Sequence, residues 1–276
     1  MMLRWMKYIL LLMALLLGSG TLLQMGYRWF QSDEAYSRHP RDTYDPALGR
    51  LNSLKKLESY VDSLAGEKGL TPDSIPDYIN LADSVVRMRF YYGLQNYRFS
   101  ENYLTNLAGK YLWSHIGAKV DPDHILNGQK AYCSPSSIVF QELLRRKGFD
   151  FRTVKLEVHF CTEVLIDGSW GFYDVSYKPF FGRNPRLSTE ELLANPQYLE
   201  DAYLYSFRDD FSRNLHLYFD REKIDYGKVN AFAAPRMIWF HRITWFFSWF
   251  GWLVFVSLWA LLEYRIFGKR KQRAFS

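Results

Sequence analysis

Cysteine is almost missing from this chain: 276 residues contain only Cys133 and Cys161. Two thiols cannot build a disulfide scaffold or a four-cysteine zinc site, so each has to be weighed singly. Internal repeats and low-complexity segments are also missing. With 48% of residues hydrophobic and 23% charged, the composition is that of a folded protein rather than a disordered one. No zinc-finger, RNP-like or helix-turn-helix pattern accompanies the net charge of +6, so no nucleic-acid partner is expected. Five basic residues (Arg265, Lys269, Arg270, Lys271 and Arg273) crowd the last dozen positions beside an apolar run, and a juxtamembrane tail accounts for them.

Charge itself is missing from two long stretches. Tyr8 to Met25 and Ile243 to Leu262 carry none, and each is long enough to cross a bilayer core. The second is flanked by Trp239, Trp245, Trp259 and Tyr264, as expected at membrane interfaces. For the first, a cleaved signal peptide with Gly18-Ser19-Gly20 as its small-residue site is the rival reading. Leu22, Leu23 and Met25 carry the apolar run beyond that site and favour an anchor. Arg4 and Lys7 before the first run, and the basic tail after the second, place both termini in the cytoplasm by the positive-inside tendency. Residues between about 28 and 236 then lie outside the membrane, in a periplasmic or extracytoplasmic position.

Six segments are expected: a transmembrane helix or signal anchor at 1–27, a polar linker at 28–50, and a helical region at 51–127. A catalytic core with its return segment follows at 128–236, then a second transmembrane helix at 237–264 and a cytoplasmic tail at 265–276. Within the helical region, Leu51, Leu54, Leu57, Val61 and Leu64 recur at helical spacing. A second helix is expected from Pro76 to Met88, capped by Ser74, and a third from Asn102 to His115. Ser134-Pro135, then Ile138, Val139, Leu143 and Leu144, then Arg145-Arg146-Lys147-Gly148 read as cap, stripe, basic last turn and stop, which predicts a helix over 135–147. Val154, Leu156 and Val158 alternate as in a strand. Phe160 to Ile166 and Trp170 to Tyr177 flank Asp167-Gly168, a strong hairpin turn. Phe207 to Lys228, rich in Asp and Arg, reads as a solvated return to the membrane. His115, His124, His216 and His241 show no spacing with acids or cysteines that points to chemistry.

Cys133 falls beside a helix N-terminus, where unpaired amides and the helix dipole favour a thiolate. Pairing about residues 167 and 168 sets strand partners near a sum of 335, which brings His159 and Asp174 to one face. A carboxylate there can hold an imidazole in one orientation.

The stretch Ala131-Tyr132-Cys133, Leu143-Leu144-Arg145-Arg146-Lys147-Gly148-Phe149, Arg152, His159, Glu163-Val164, Asp167-Gly168, Trp170 and Asp174 resembles the transglutaminase-like core. That likeness covers residues 128–177. It implies an α+β, papain-like fold with a helix packed on an antiparallel sheet, here preceded by helices and flanked by two transmembrane helices. It further implies Cys133 as nucleophile, His159 as general base and acid, and Asp174 as orienting carboxylate. The reaction would be acyl transfer through a thioester, ending in hydrolysis (a peptidase or amidase) or in transamidation. The Cys133 backbone N–H would help form an oxyanion hole, with Gln129 as an accessory donor. The sequence departs from the family where a tryptophan two residues after the histidine is replaced by Cys161, preceded by Phe160.

Cys161 shares a strand face with His159 and leaves two readings open, a lining residue or a disulfide partner of Cys133. A metal held by both cysteines and His159 would lack a fourth ligand, so no metal and no cofactor is expected. A domain tethered at both ends suits a peptide or amide-bearing envelope substrate, with protein partners unspecified. The competing function is a catalytically silent binding or scaffold module of an envelope or surface-polymer assembly.

Overall fold

The computed structural model describes residues 2–27, 43–70, 74–157, 159–177, 179–182, 186–204 and 214–274, with side chains from 5 to 266. Of the linker expected at 28–50, residues 28–42 lie outside the described residues, as does the stretch 205–213, while Pro46–Arg50 form a 3₁₀ turn. The chain divides into two compact units. One joins 1–35, 96–118 and 236–276; the other comprises 36–95 and 119–235.

In the larger unit, α2 (Leu54–Glu67) and α3 (Ile75–Arg89) form where the apolar periodicity predicts them. Ser53 caps α2 through its hydroxyl, whereas Ser74 makes no side-chain cap bond to α3. A short α5 (Pro122–Leu126) follows, and two-residue strands β1 (Tyr91–Tyr92) and β2 (Lys130–Ala131) pair in parallel. Gln95 fastens the loop before β2. Its NH2 donates to the carbonyls of Lys130 (2.7 Å) and Ile125 (3.1 Å), and its oxygen accepts from the Gly128 N–H (3.1 Å). A Cβ on Gly128 would occupy the space of that amide, so glycine is required by close approach.

The helix α6 runs Cys133–Arg146, starting two residues earlier than the proline suggests. Tyr132 is extended, and its carbonyl accepts from Ser136 N–H at 3.1 Å, so the first turn closes around Cys133. Pro135 is tolerated there because the first amides of a helix have no partner within it. Gly148, at φ +77°, ends the helix as expected.

A four-stranded sheet of order β5-β4-β3-β6 follows, with all pairs antiparallel: β3 (Phe151–Leu156), β4 (His159–Ile166), β5 (Ser169–Tyr173) and β6 (Ile224–Tyr226). The hairpin register is the predicted one, with Thr162 opposite Tyr173 and Ile166 opposite Ser169. Asp167 and Gly168 both take positive φ in the turn, 50° and 81°. Between β3 and β4, Glu157 takes φ 41° although no glycine or asparagine marks that turn.

Helix α6 packs on one face of this sheet. Its buried Gln141 donates to Thr153 Oγ1 (3.1 Å) and Thr162 Oγ1 (3.0 Å), while Ser137 Oγ donates to the Phe160 carbonyl (3.1 Å). On the other face Val154, Leu156, Cys161 and Phe172 meet α7 (Thr189–Leu193), α8 (Pro196–Tyr203) and α9 (Leu215–Tyr218) through Leu192, Leu199, Tyr203, Leu215 and Phe219. The segment expected to be a solvated return is therefore in part core. Leu215 and Phe219 are buried and β6 pairs with β3, because apolar side chains interrupt the charges at spacing suited to a short helix and an edge strand.

Arg152 and Glu163 face each other across β3 and β4 and pair at 2.6–2.7 Å, with the carboxylate fully buried. The guanidinium lies between the rings of Trp170 (4.4 Å) and Tyr226 (4.2 Å), and Glu163 also accepts from Thr189 N–H at 2.6 Å. Arg152→Ala strands that buried carboxylate and is expected to cost about 3 kcal/mol or more. Arg152→Lys recovers only part, since lysine offers neither the planar fork nor the stacking. Urea denaturation of the detergent-solubilised chain measures both; equal midpoints for Arg152→Ala and wild type would refute the assignment.

The smaller unit pairs α1 (Met2–Tyr27) with α10 (Pro235–Ala274) and adds α4 (Tyr103–Tyr111). The first two are long and apolar enough to cross a membrane over Trp5–Tyr27 and Pro235–Ile266. They run antiparallel: Lys7 forms an ion pair with Glu263, and Thr21 Oγ1 donates to the Ser248 carbonyl at 2.8 Å. The third helix expected from sequence stops at Tyr111 rather than His115. A separate 3₁₀ turn takes Ser114–Gly117.

Candidate active site

Each of the three residues singled out by sequence is delivered by a different device. The β2 segment and the turn at Tyr132 set Cys133 as the first residue of α6, half-buried, with its peptide N–H among the unpaired amides of the helix start. His159 opens β4 and is almost wholly buried. Asp174 lies one residue beyond β5, at zero exposure. Its Oδ1 accepts from the N–H groups of Ser176 (2.9 Å) and Tyr177 (3.1 Å), an Asx-type turn that ends the strand and fixes the carboxylate.

Asp174 Oδ2 lies 2.8 Å from His159 Nε2. Nε2 is committed to the carboxylate, and the imidazole acts electrostatically on the nearby Cys133 thiol. The Phe160 backbone also favours the charged form of the Cys133 sulfur. Burial raises the Cys133 thiol, but the neighbouring imidazole and the Phe160 backbone outweigh it, and the thiol stands below its ordinary value. Burial opposes charge on His159, yet Asp174 and the two sulfurs hold its pKa well above the ordinary range. Burial likewise raises Asp174, while His159 and the two backbone amides bring it below the usual carboxylate value.

Cys161 also lies beside His159, but it is fully buried and close to the Asp174 charge, and its thiol is pushed up to about 12. One imidazole thus faces two thiols and activates only one. Both cysteines are free, so the disulfide alternative is not formed here. Donor atoms of His159, Cys161 and Asp174 lie within 4.8 Å of one another. A metal bound there at the histidine nitrogen facing Asp174 would have to break the His159–Asp174 hydrogen bond. Phe160, the other lining residue named from sequence, is half-buried beside the thiol. Gln129 is exposed; its carbonyl accepts from Tyr91 N–H, and its amide lies against Gly49.

Two tyrosines that the sequence did not mark belong to the site. The Tyr203 hydroxyl donates to Asp174 Oδ2 at 2.8 Å from α8, 29 residues downstream. Burial, with Asp174 beside it, keeps that phenol protonated far above neutrality. The Tyr177 ring lies 4.4 Å from the imidazole, and its hydroxyl meets that of Tyr92 at 2.9 Å. Tyr92 in turn contacts the exposed Tyr132 ring at 4.7 Å, so aromatic rings run from the surface to His159. Only the Tyr177 position carried a signal, three residues past Asp174; Tyr203 has none, because its contact depends on where α8 packs.

The fold and site define a mixed α/β protein with a buried Cys-His-Asp cluster, joined in one chain to two helices that are apolar and long enough to span a bilayer. No family profile and no curated protein matches the chain. Among solved structures, the crystal structure of a TGase aligns with 52% of this chain and 36% of its own, at 18% identity and a TM-score of 0.30. A likeness of that size assigns neither fold nor activity.

Proposed function

We propose that this chain is a membrane-anchored thiol-dependent amide hydrolase or acyltransferase of transglutaminase-like, papain-like type, with its active site outside the cytoplasm. The observation that carries the reading is the buried His159–Asp174 pair at 2.8 Å, whose imidazole lowers the pKa of a half-buried thiol in the first turn of a helix.

In this scheme the Cys133 thiolate attacks an amide carbonyl carbon, and a C–S bond forms as the C=O π pair moves to oxygen. The Cys133 backbone N–H faces the developing oxyanion from the helix start. Collapse breaks the C–N bond, and the Nδ1 proton of His159 goes to the departing amine. The thioester then meets water, whose proton passes to His159, and the acid is released with the thiol restored. An amine acceptor in place of water gives a new amide. Asp174 keeps Nε2 protonated and offsets the imidazolium charge, and Tyr203 positions Asp174.

The antiparallel pairing of α1 and α10, with Lys7 beside Glu263, supports placing both termini on one side of the membrane. The basic residues near those ends favour the cytoplasmic side, which leaves the active site facing envelope peptides or other amides close to the surface.

The test is the pH dependence of iodoacetamide alkylation in the purified chain, read peptide by peptide with mass spectrometry. Cys133 is expected to react with a midpoint below about 8.5, the ordinary thiol value. Cys161 stays unlabelled at pH values where Cys133 is fully modified, because its thiol stands at about 12 and is buried. His159→Ala should move the Cys133 midpoint up into the ordinary range. A Cys133 that titrates ordinarily in both proteins would overturn the proposal.

A further inference from the structure

Residues 96–118 form a closed excursion of the chain. Asn96 and Ala118 pair as an antiparallel bridge, and Tyr97 N–H donates to the Gly117 carbonyl at 2.9 Å. Between these ends, α4 is bonded to residues inside the two uncharged runs. Tyr103 N–H donates to Gln24 Oε1 (3.3 Å) and the Tyr103 hydroxyl to the Leu17 carbonyl (3.3 Å). Asn102 Nδ2 donates to Thr244 Oγ1 (3.1 Å) and the His241 carbonyl (3.3 Å), while its Oδ1 accepts from Ser248 Oγ (3.0 Å). Leu104 N–H donates to Ser248 Oγ (3.3 Å), and the Thr105 and Thr244 hydroxyls meet at 2.6 Å. The return limb is tied as well, with the Ile116 carbonyl 2.8 Å from His241 Nε2.

These partners fix the depth. Leu17 lies ten residues before the end of α1 at Tyr27, and Ser248 thirteen residues after the start of α10 at Pro235. At 1.5 Å per residue these are about 15 and 20 Å along the helices. Both lie about midway between those ends and the Lys7–Glu263 pair, while Gln24 and Thr244 lie toward the end opposite that pair. Polar groups at such depth are costly unless paired, and α4 supplies the partners for Gln24, Thr244 and Ser248. Its outward surface is apolar: Tyr111, Leu112 and Trp113 are 70%, 79% and 57% exposed, with Leu107 beside them. Lys110, over the Tyr111 ring, and His115, against Trp113, supply polar tips to the same surface. Aromatic bodies with basic tips suit the boundary between acyl chains and headgroups.

We propose that 96–118 is a re-entrant membrane element whose Leu107, Tyr111, Leu112 and Trp113 surface sits in the acyl–headgroup boundary of the outer leaflet. The chain is then held in the bilayer by three elements rather than two. The inference rests on reading α1 and α10 as spans and is independent of the chemistry proposed at Cys133. Continuity decides the occupant: the apolar face belongs to the same compact unit as the spans, and its helix is bonded to them within their uncharged length.

The full native chain in phosphatidylcholine vesicles, labelled by a bilayer-partitioning carbene precursor or by a water-soluble one, tests this by peptide mapping. The expected result is that the 107–113 peptide takes the bilayer reagent, as α1 and α10 do, and loses labelling by the aqueous one, which marks the α2 peptide. Aqueous labelling of 107–113 while α10 still takes the bilayer reagent would overturn the inference and leave the spans intact. Shielding from both reagents would also overturn it, by showing protein cover. Failure of α10 to take the bilayer reagent would overturn the spanning reading itself.

Discussion

Cys133→Ser is expected to abolish thioester formation, with a loss of turnover of about 10⁴-fold or more. The imidazole–carboxylate pair is matched to a thiol already held below its ordinary value, and a serine hydroxyl is far too weak an acid to give up its proton in the same place. An activated aryl ester provides the measurement, because a thiol enzyme releases a burst of chromophoric alcohol stoichiometric with its acylation. The wild-type chain should give one equivalent and Cys133→Ser none. A burst that survives the substitution would mean another nucleophile, and a wild type without a burst would favour the silent scaffold reading.

Asp174→Asn should leave the protein folded but lower turnover by about 10⁴-fold, the scale seen when an orienting carboxylate of this kind becomes an amide. The substituted side chain can still accept from the N–H groups of Ser176 and Tyr177 through its oxygen. Its NH2 would then face His159 Nε2 and the Tyr203 hydroxyl, where the carboxylate accepts two hydrogen bonds. The imidazole must answer by carrying its proton on Nδ1, the atom required to take one from Cys133. Two electrostatic effects oppose each other at the thiol. The Asp174 charge raises the Cys133 pKa directly, so its removal alone would lower it. That same charge is the largest factor raising His159, and without it the imidazolium that depresses the thiol is lost. The imidazole acts on the sulfur more strongly than Asp174 does, so the indirect effect is expected to win and the alkylation midpoint of Cys133 to rise. Burst kinetics and the alkylation profile together decide it; unchanged values in both would remove Asp174 from the mechanism. A melting curve for the variant guards against simple unfolding, since the carboxylate accepts four hydrogen bonds in the core.

Local signals fared well wherever the interaction that forms an element lies within a few residues. The Asp167-Gly168 turn fixed its own register, because both residues accept positive φ and strand pairing then proceeds outward from them. That register brought His159 and Asp174 together on one face. The start of α6 was displaced by two residues because Pro135, which suits any place in a first turn, was read as marking the first position. The segment after Phe207 misled for another reason. Its charges are frequent, yet Leu215, Phe219 and β6 fill the sheet's second face, a demand set by partners far upstream in the chain.

Sequence alone determined the two uncharged runs, the helix that presents Cys133 and the hairpin that carries its partners, since length, capping and turn chemistry are properties of short stretches. It also marked Arg152 and Glu163, which tertiary packing then showed to be a buried, ring-flanked pair. Only the tertiary structure decided that Tyr203 holds Asp174, that burial raises the Cys161 thiol, and that 96–118 joins the terminal helices. Each of these depends on burial or on a hydrogen bond between residues distant in the chain. Burial and long-range bonding are set by how elements pack together, and no local pattern of residue types encodes that.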